Sequence, residues 1–228
     1  MVAAECMGDT LNNCIVYYNT GTPNGANQDG AFLNYCCTTP PPTSGMGNIA
    51  NAPLFVNQAS GNLRLQFNSP CINSGFNSYA PAGPDLEGNP RIAGGTVDIG
   101  AYEFQSPASV ISHAWLQQYG LATDGSADYL DPDSDRLNNW QEWRAGTDPI
   151  NPLSVLRLLS PIRTSTNMIV RWQSVSSRNY FLERGTDLAA QPPFSTLATD
   201  IIGQAGTTTF TDTNAVGPGP FFYRVDVQ

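Results

Sequence analysis

Residues 131–142 read DPDSDRLNNWQE, with three aspartates on alternate positions and a glutamate seven residues after the last of them. Charged residues make up only 13% of the chain, so this crowding of like charge needs a counterion close by. The segment is therefore constrained to wrap a cation and run on into a helix. The spacing is that of a calcium loop. Asp131, Asp133 and Asp135 take the first, third and fifth positions, and the carbonyl of Leu137 the seventh. Asn139 takes the ninth, directly or through water, and Glu142 the twelfth, where both of its oxygens can bind. Oxygen donors without a neighbouring cysteine or histidine exclude zinc, and a flexible loop offering about seven oxygens suits calcium better than magnesium. Arg136 stands where such loops carry glycine, and the left-handed turn needed there costs an L-residue about 1–2 kcal/mol. An acidic helix N-terminus would account for Asp133 and Asp135 through the helix dipole. It leaves the register of Asn139 and Glu142 unexplained, so Ca2+ is the expected cofactor. Asp124, Asp128 and Asp148 are further candidate ligands with less regular spacing.

Helical signals flank this loop. Upstream, SVISHAWLQQYG (109–120) sets Val110, Ile111, Ala114, Trp115, Gln118 and Tyr119 along one side, with Ser109 as expected N-cap and Gly120 as the residue past the C-terminus. Downstream, a helix is expected over Asn139 to Ala145 with Trp140 and Trp143 facing inward, stopped by Gly146 and Pro149. The loop and exit helix together match DxDxDGLxNxxExxxGTDP, Arg136 excepted, and resemble dockerin-type and thrombospondin type 3 calcium repeats.

The rest of the chain is rich in turn residues and poor in long helical patterns, which predicts a mainly β protein. Three zones are expected: residues 1–104, rich in asparagine and holding all five cysteines; a helical calcium-binding connector over 105–152; and an alternating β region over 153–228. All ten basic residues are arginine and the net charge is −9, which argues against nucleic acid or an anionic membrane surface as partner. No apolar run approaches the ~20 residues of a membrane span. A lysine-free, polar, turn-rich chain reads as extracellular or cell-surface. The stretch MVAAECMGDTLNNC has neither a basic nor an apolar signal region, so the export signal is expected outside the chain.

In the first zone, NNCIVYYN (12–19) and LNYCCTTP (33–40) are short β-prone runs, with Cys14 and Cys36 22 residues apart. That interval is one coil of a parallel β-helix, in which equivalent side chains form ladders. Cys14 would then lie over Cys36 or Cys37, and Asn13 near Asn34. In an oxidising medium these cysteines would bridge the coils; as free thiols they would fill a buried ladder. NAPLFVN (51–57), LRLQFNSPCINSG (63–75) and DLEGNPRIAGGTVDIGAYE (85–103) resemble the closing coils of right-handed parallel β-helix proteins of secreted bacterial, pectate-lyase-like families, with Asn73 where aspartate is common. The resemblance implies a stacked β-helix terminus ordered by Asp85, Arg91, Asp98 and Glu103. Glycosidases use paired carboxylates, but a structural role is the expected one here. A first coil without a neighbour would also leave an apolar end open to further copies of the chain, head to tail.

The last zone offers candidate strands at 155–159, 168–172, 179–184, 207–211 and 221–227. Met168, Val170 and Trp172 share one face, and Phe221, Tyr223, Val225 and Val227 another. Short alternating strands with turns between them predict a small sandwich of immunoglobulin or fibronectin III type. The YFLER and FFYRVDV runs resemble modules that follow such calcium loops in secreted bacterial proteins. A lone histidine, His113, and the absence of lysine leave little for nucleophilic or base catalysis. The expected function is a non-catalytic, calcium-stabilised extracellular structural or adhesion segment, touching surface glycans or assembling with itself into filaments. The alternative is the C-terminal accessory part of a carbohydrate-active enzyme.

Overall fold

The computed structural model describes residues 10–19 and 31–227. Residues 1–9, with Cys6 and most of the N-terminal stretch, lie outside the described residues, as do 20–30 and 228. The chain is mainly β and divides into two compact units, Met1–Tyr129 and Leu130–Gln228. The segment expected as a connector is shared between them, its first helix in the first unit and its acidic loop in the second. Among the described residues, no helix is long and apolar enough to cross a membrane.

In the first unit, β1 (Thr10–Asn12) pairs parallel with β3 (Phe32–Asn34), and β2 (Ile15–Val16) with β4 (Cys37–Thr38). Both registers, Leu11 to Leu33 and Ile15 to Cys37, are offset by 22 residues. The corners repeat as well: Asn13 and Tyr35 each turn the chain at φ 51°. Asn34 Nδ2 donates to Asn12 Oδ1 at 3.1 Å, so the side-chain ladder joins Asn34 to Asn12 and not to Asn13. Asn13 serves the backbone instead, donating its amide to Asn34 O at 3.1 Å. A further parallel bridge joins Cys37 to Ile49, and β5 (Phe55–Asn57) and β6 (Asn62–Leu65) form a hairpin.

The segment over 97–100 returns to the run that carries β1 and β2. Gly100 N donates to Asn13 O at 2.9 Å, and the Asn13 side chain exchanges two bonds with the backbone of Phe76, at 3.0 and 2.8 Å. Gly100 lies at φ +125°, and a Cβ there would stand 2.9 Å from Ile15 Cδ1, so glycine permits this close crossing. Residues Asn13 and Ile15, between and within the first strands, are thus met by the segment over 97–100. Leu65, Cys71, Ile72, Ile99 and Cys37 form one buried cluster, and Val16, Leu33 and Cys36 another.

Helix α1 (His113–Gln118) is shorter than its sequence pattern and starts later. Ser112, not Ser109, caps it, accepting from Trp115 N at 3.3 Å. Ser109 donates to Asp128 Oδ1 at 2.6 Å instead, while Val110 N holds Oδ2 at 3.0 Å. The buried helical residues are His113 and Leu116, so the apolar side is rotated from the one expected.

In the second unit, α2 (Asn139–Ala145) follows the acidic loop directly. Its buried residues are Asn139, Glu142 and Ala145, one every three, while Trp140 and Trp143 are only half-buried. This corrects the inward placement of the tryptophans: Trp140 instead carries the Arg144 guanidinium 5.2 Å from its ring centre. Two three-stranded antiparallel sheets follow. One is ordered β7 (Leu158–Arg163), β8 (Met168–Ser174), β11 (Gly206–Asp212); the other β10 (Ser195–Ile202), β9 (Asn179–Gly185), β12 (Phe222–Val227). They share a core of Val170, Trp172, Tyr180, Leu182 and Val227, onto which Ala145 of α2 packs. The first strand begins three residues later than its apolar run, and β10 carried no alternation to mark it because most of its residues are exposed or half-buried at an edge.

Candidate metal centre

The loop before α2 is shaped by its own aspartates. Asp133 Oδ1 accepts from Asp135 N at 3.2 Å, Asp131 Oδ2 from Arg136 N at 3.1 Å, and Asp135 Oδ1 from Leu137 N at 2.7 Å. Ser134 and Arg136 both lie in the left-handed region, at φ 65° and 84°. The sixth position therefore has the backbone expected for it, with arginine bearing the strain that glycine would avoid. Asn139 N closes the loop on Leu130 O at 2.8 Å.

These turns bring carboxylate oxygens of Asp131, Asp133 and Asp135 within 4.8 Å of one another. Glu142 stands outside that triad, fully buried, on the side that α2 presents beside Asn139. Thr147 Oγ1 reaches Glu142 Oε1 at a long 3.5 Å. Asp133 Oδ2, Asp135 Oδ2 and Glu142 Oε2 are buried and meet no hydrogen-bond donor. Buried anionic oxygens without donors are costly unless a proton or a cation neutralises them. The electrostatics agree. Burial first, and then the charges of Asp133, Asp135 and Asp131, push the Glu142 carboxyl up to about 8. Burial likewise raises Asp133. A hard cation is the chemistry that fits all-oxygen donors held this close.

Leu137, the expected carbonyl donor, is half-buried between Asp135 and the helix cap. Helix α2 is held firmly behind the loop. Asn138 and Gln141 form a reciprocal capping box, with bonds of 2.9 Å each. At its other end Gly146 turns left-handed, while Arg178 of the sheet region donates to the carbonyls of Arg144 and Trp143 at 2.8 and 2.9 Å. Thr147 is a site residue that sequence reasoning passed over; its signal was its place beside the helix-ending Gly146. The outlying aspartates are engaged elsewhere. Asp124 is exposed and accepts from Ser126, Asp128 is the buried partner of Ser109, and Asp148 accepts from Ile150 N at 3.2 Å.

The other acidic group lies in the first unit, and there every carboxylate oxygen is engaged. Asp98 accepts from Asn73 N at 2.8 Å and Phe104 N at 2.7 Å. Glu103 accepts from Ala93 N, from Asp98 N and from Arg91 Nη1, the last at 2.8 Å. Asp85 accepts from Glu87, Asn89 and Glu103 amides. Arg91 also donates to the carbonyls of Asp98 and Gly100. These four side chains bind the closing segment to itself, which is the work of a clamp on a loop poor in regular structure.

Comparison with known protein families, with curated proteins and with solved structures gives no match.

Proposed function

We propose that this chain is a non-catalytic extracellular structural or adhesion segment stabilised by calcium. Its first unit is read as the closing coils of a right-handed parallel β-helix. Its second is read as a dockerin-like or thrombospondin type 3-like calcium loop joined to a sandwich of immunoglobulin or fibronectin III type. The observation that carries the reading is the close grouping of Asp131, Asp133 and Asp135, together with one buried oxygen each on Asp133, Asp135 and the nearby Glu142 that meets no donor. The two parallel pairings at the same 22-residue offset support the β-helix reading. Docking of α2 on the sandwich core through Ala145 gives the metal a purpose, since an ion that orders the loop also fixes the helix the sandwich packs against. On this reading the partners are surface glycans or further copies of the chain.

A second reading, an accessory part of a carbohydrate-active enzyme, has one observation in its favour. Among the described residues of the first unit, a groove of about 720 Å³ is walled partly by Tyr17, Phe55, Tyr79 and Tyr102. Aromatic walls suit sugar rings. Thermal unfolding with calcium and with chelator tests the first reading, and titration with neutral and acidic oligosaccharides tests the second. A calcium-dependent rise in melting temperature without glycan processing supports the structural role. Turnover of a glycan favours the enzyme.

A further inference from the structure

The four described cysteines fall into two pairs, of which the sequence spacing announces only the first. The 22-residue offset that joins Asn12 to Asn34 and Ile15 to Cys37 sets Cys14 beside Cys36 on neighbouring parallel runs. Such neighbours are about 4.8 Å apart, inside the ~4.4–6.8 Å range of Cα separations that a disulfide spans. Both side chains pack in the cluster of Val16 and Leu33. Cys37 is next in sequence and, by strand alternation, faces the other cluster, where it meets Cys71. All four are free thiols. Their surroundings differ: Cys36, Cys37 and Cys71 are fully buried, whereas Cys14 is half-buried and lines the groove of the first unit.

We propose that Cys14 and Cys36 are a redox-responsive dithiol that closes to a disulfide in an oxidising medium, with Cys14 the attacking thiol, while Cys37 and Cys71 stay a shielded thiol pair in the folded chain. The oxidant is a low-molecular-weight disulfide, RSSR. The Cys14 thiolate attacks one of its sulfurs and breaks the S–S bond. The first RS⁻ leaves and takes up the proton that Cys14 lost, giving RSH. Cys36 then loses its proton as its sulfur displaces the second RS⁻ from the mixed disulfide. The products are the Cys14–Cys36 bond and two RSH, so two thiols are oxidised and one disulfide reduced. The Cys36 thiol, hydrogen-bonded to Cys14, holds the Cys14 pKa down to about 7, which favours Cys14 as the nucleophile. Cys36, whose proton is shared toward Cys14, is raised and so is the poorer first nucleophile; its place beside Cys14 is what lets it resolve the adduct.

The test uses the full chain carrying Cys6→Ser, so that only the described thiols remain. The folded, reduced protein is treated with oxidised glutathione without denaturant and mapped by non-reducing peptide mass spectrometry. The expected product is one Cys14–Cys36 link per chain, with Cys37 and Cys71 alkylated only after unfolding, and a higher melting temperature than the reduced form. Adding Cys36→Ser should trap glutathione on Cys14, and adding Cys14→Ser should abolish uptake. The rate of adduct formation should be half-maximal near pH 7, below the ordinary thiol range. A Cys14–Cys37 link, reaction first at Cys37 or Cys71, or no link in the folded parent overturns the proposal. The mapping of the parent decides the matter even where a serine variant misfolds.

Discussion

Arg184 Nη1 donates to both carboxylate oxygens of Asp212, at 3.0 and 2.8 Å, and so ties β9 of one sheet to β11 of the other. Tyr223 of β12 adds its hydroxyl to Asp212 Oδ2 at 2.9 Å. The Asp212 side chain is almost wholly buried, whereas Arg184 is partly open to solvent. Removing one partner of this pair is therefore costlier than breaking a surface bridge, because the other is left partly buried without its counter-charge.

Asp212→Ala should cost the second unit about 2–3 kcal/mol, because it strands a partly buried hydroxyl and a partly buried guanidinium. Burial works to raise the Asp212 carboxyl, but the bonds from Arg184 and Tyr223 prevail and hold it below 3.8. A depressed folded pKa means that stability is present above pH 4 and is lost as the pH falls through the folded value. Urea unfolding between pH 2 and 6 checks this: the acid loss should shrink in the variant.

The sequence made the stacking interval visible, because Cys14 and Cys36 mark it in residues of similar type. It concealed the Cys37–Cys71 contact, which depends on how the run from Leu65 to Ile72 packs against the early strands and not on any local spacing. Helix α2 was legible to the residue, since Asn138, Gly146 and the calcium register all punctuate it. Helix α1 was not, for Ser109 and Ser112 are equally good caps in sequence, and only the bond from Ser109 to the distant Asp128 removes one of them. Strand β10 lay hidden because an edge strand buries too little to impose alternation. In the acidic loop, residue types marked the candidate ligands, but the burial of Glu142 depends on α2 docking on a core more than 20 residues downstream.

Arg136→Gly should stabilise the chelator-treated chain by roughly 1 kcal/mol, since φ +84° is strained for arginine and free for glycine. Calcium affinity should stay equal or tighten. Paired thermal melts of parent and variant, with and without calcium, measure both effects.

The closing clamp of the first unit should respond to pH in the opposite sense from Asp212. Burial, and then the neighbouring Glu103 charge, raise the Asp98 carboxyl to about 8, against the pull of its two backbone donors. A raised folded pKa gives stability that is full below pH 4 and is lost as the pH climbs through 8. Glu103 is raised too and acts in the same direction, while Asp85 is lowered and opposes them. Melting of the first unit from pH 4 to 9 should therefore show a net decline, and Asp98→Asn should flatten it.

Because the oxygens of Asp85, Asp98 and Glu103 are engaged by backbone amides, the chain should not cleave polygalacturonate, alginate or other acidic glycans. Reducing-end and unsaturated-product assays at high protein concentration check this. Sustained product release that disappears in Asp98→Asn or Glu103→Gln would favour the enzyme reading.

Calorimetric titration of the chelator-stripped chain with calcium tests the central claim most directly. The expected result is one saturable site per chain at or below millimolar calcium, weaker or absent with magnesium, and abolished by Asp131→Ala or Glu142→Ala. Calcium at about 100 times its Kd should add ~2.7 kcal/mol to the second unit, a rise of roughly 10 °C in Tm for a unit of this size. No binding heat and no change in Tm at millimolar calcium, with the loop folded, would contradict the account.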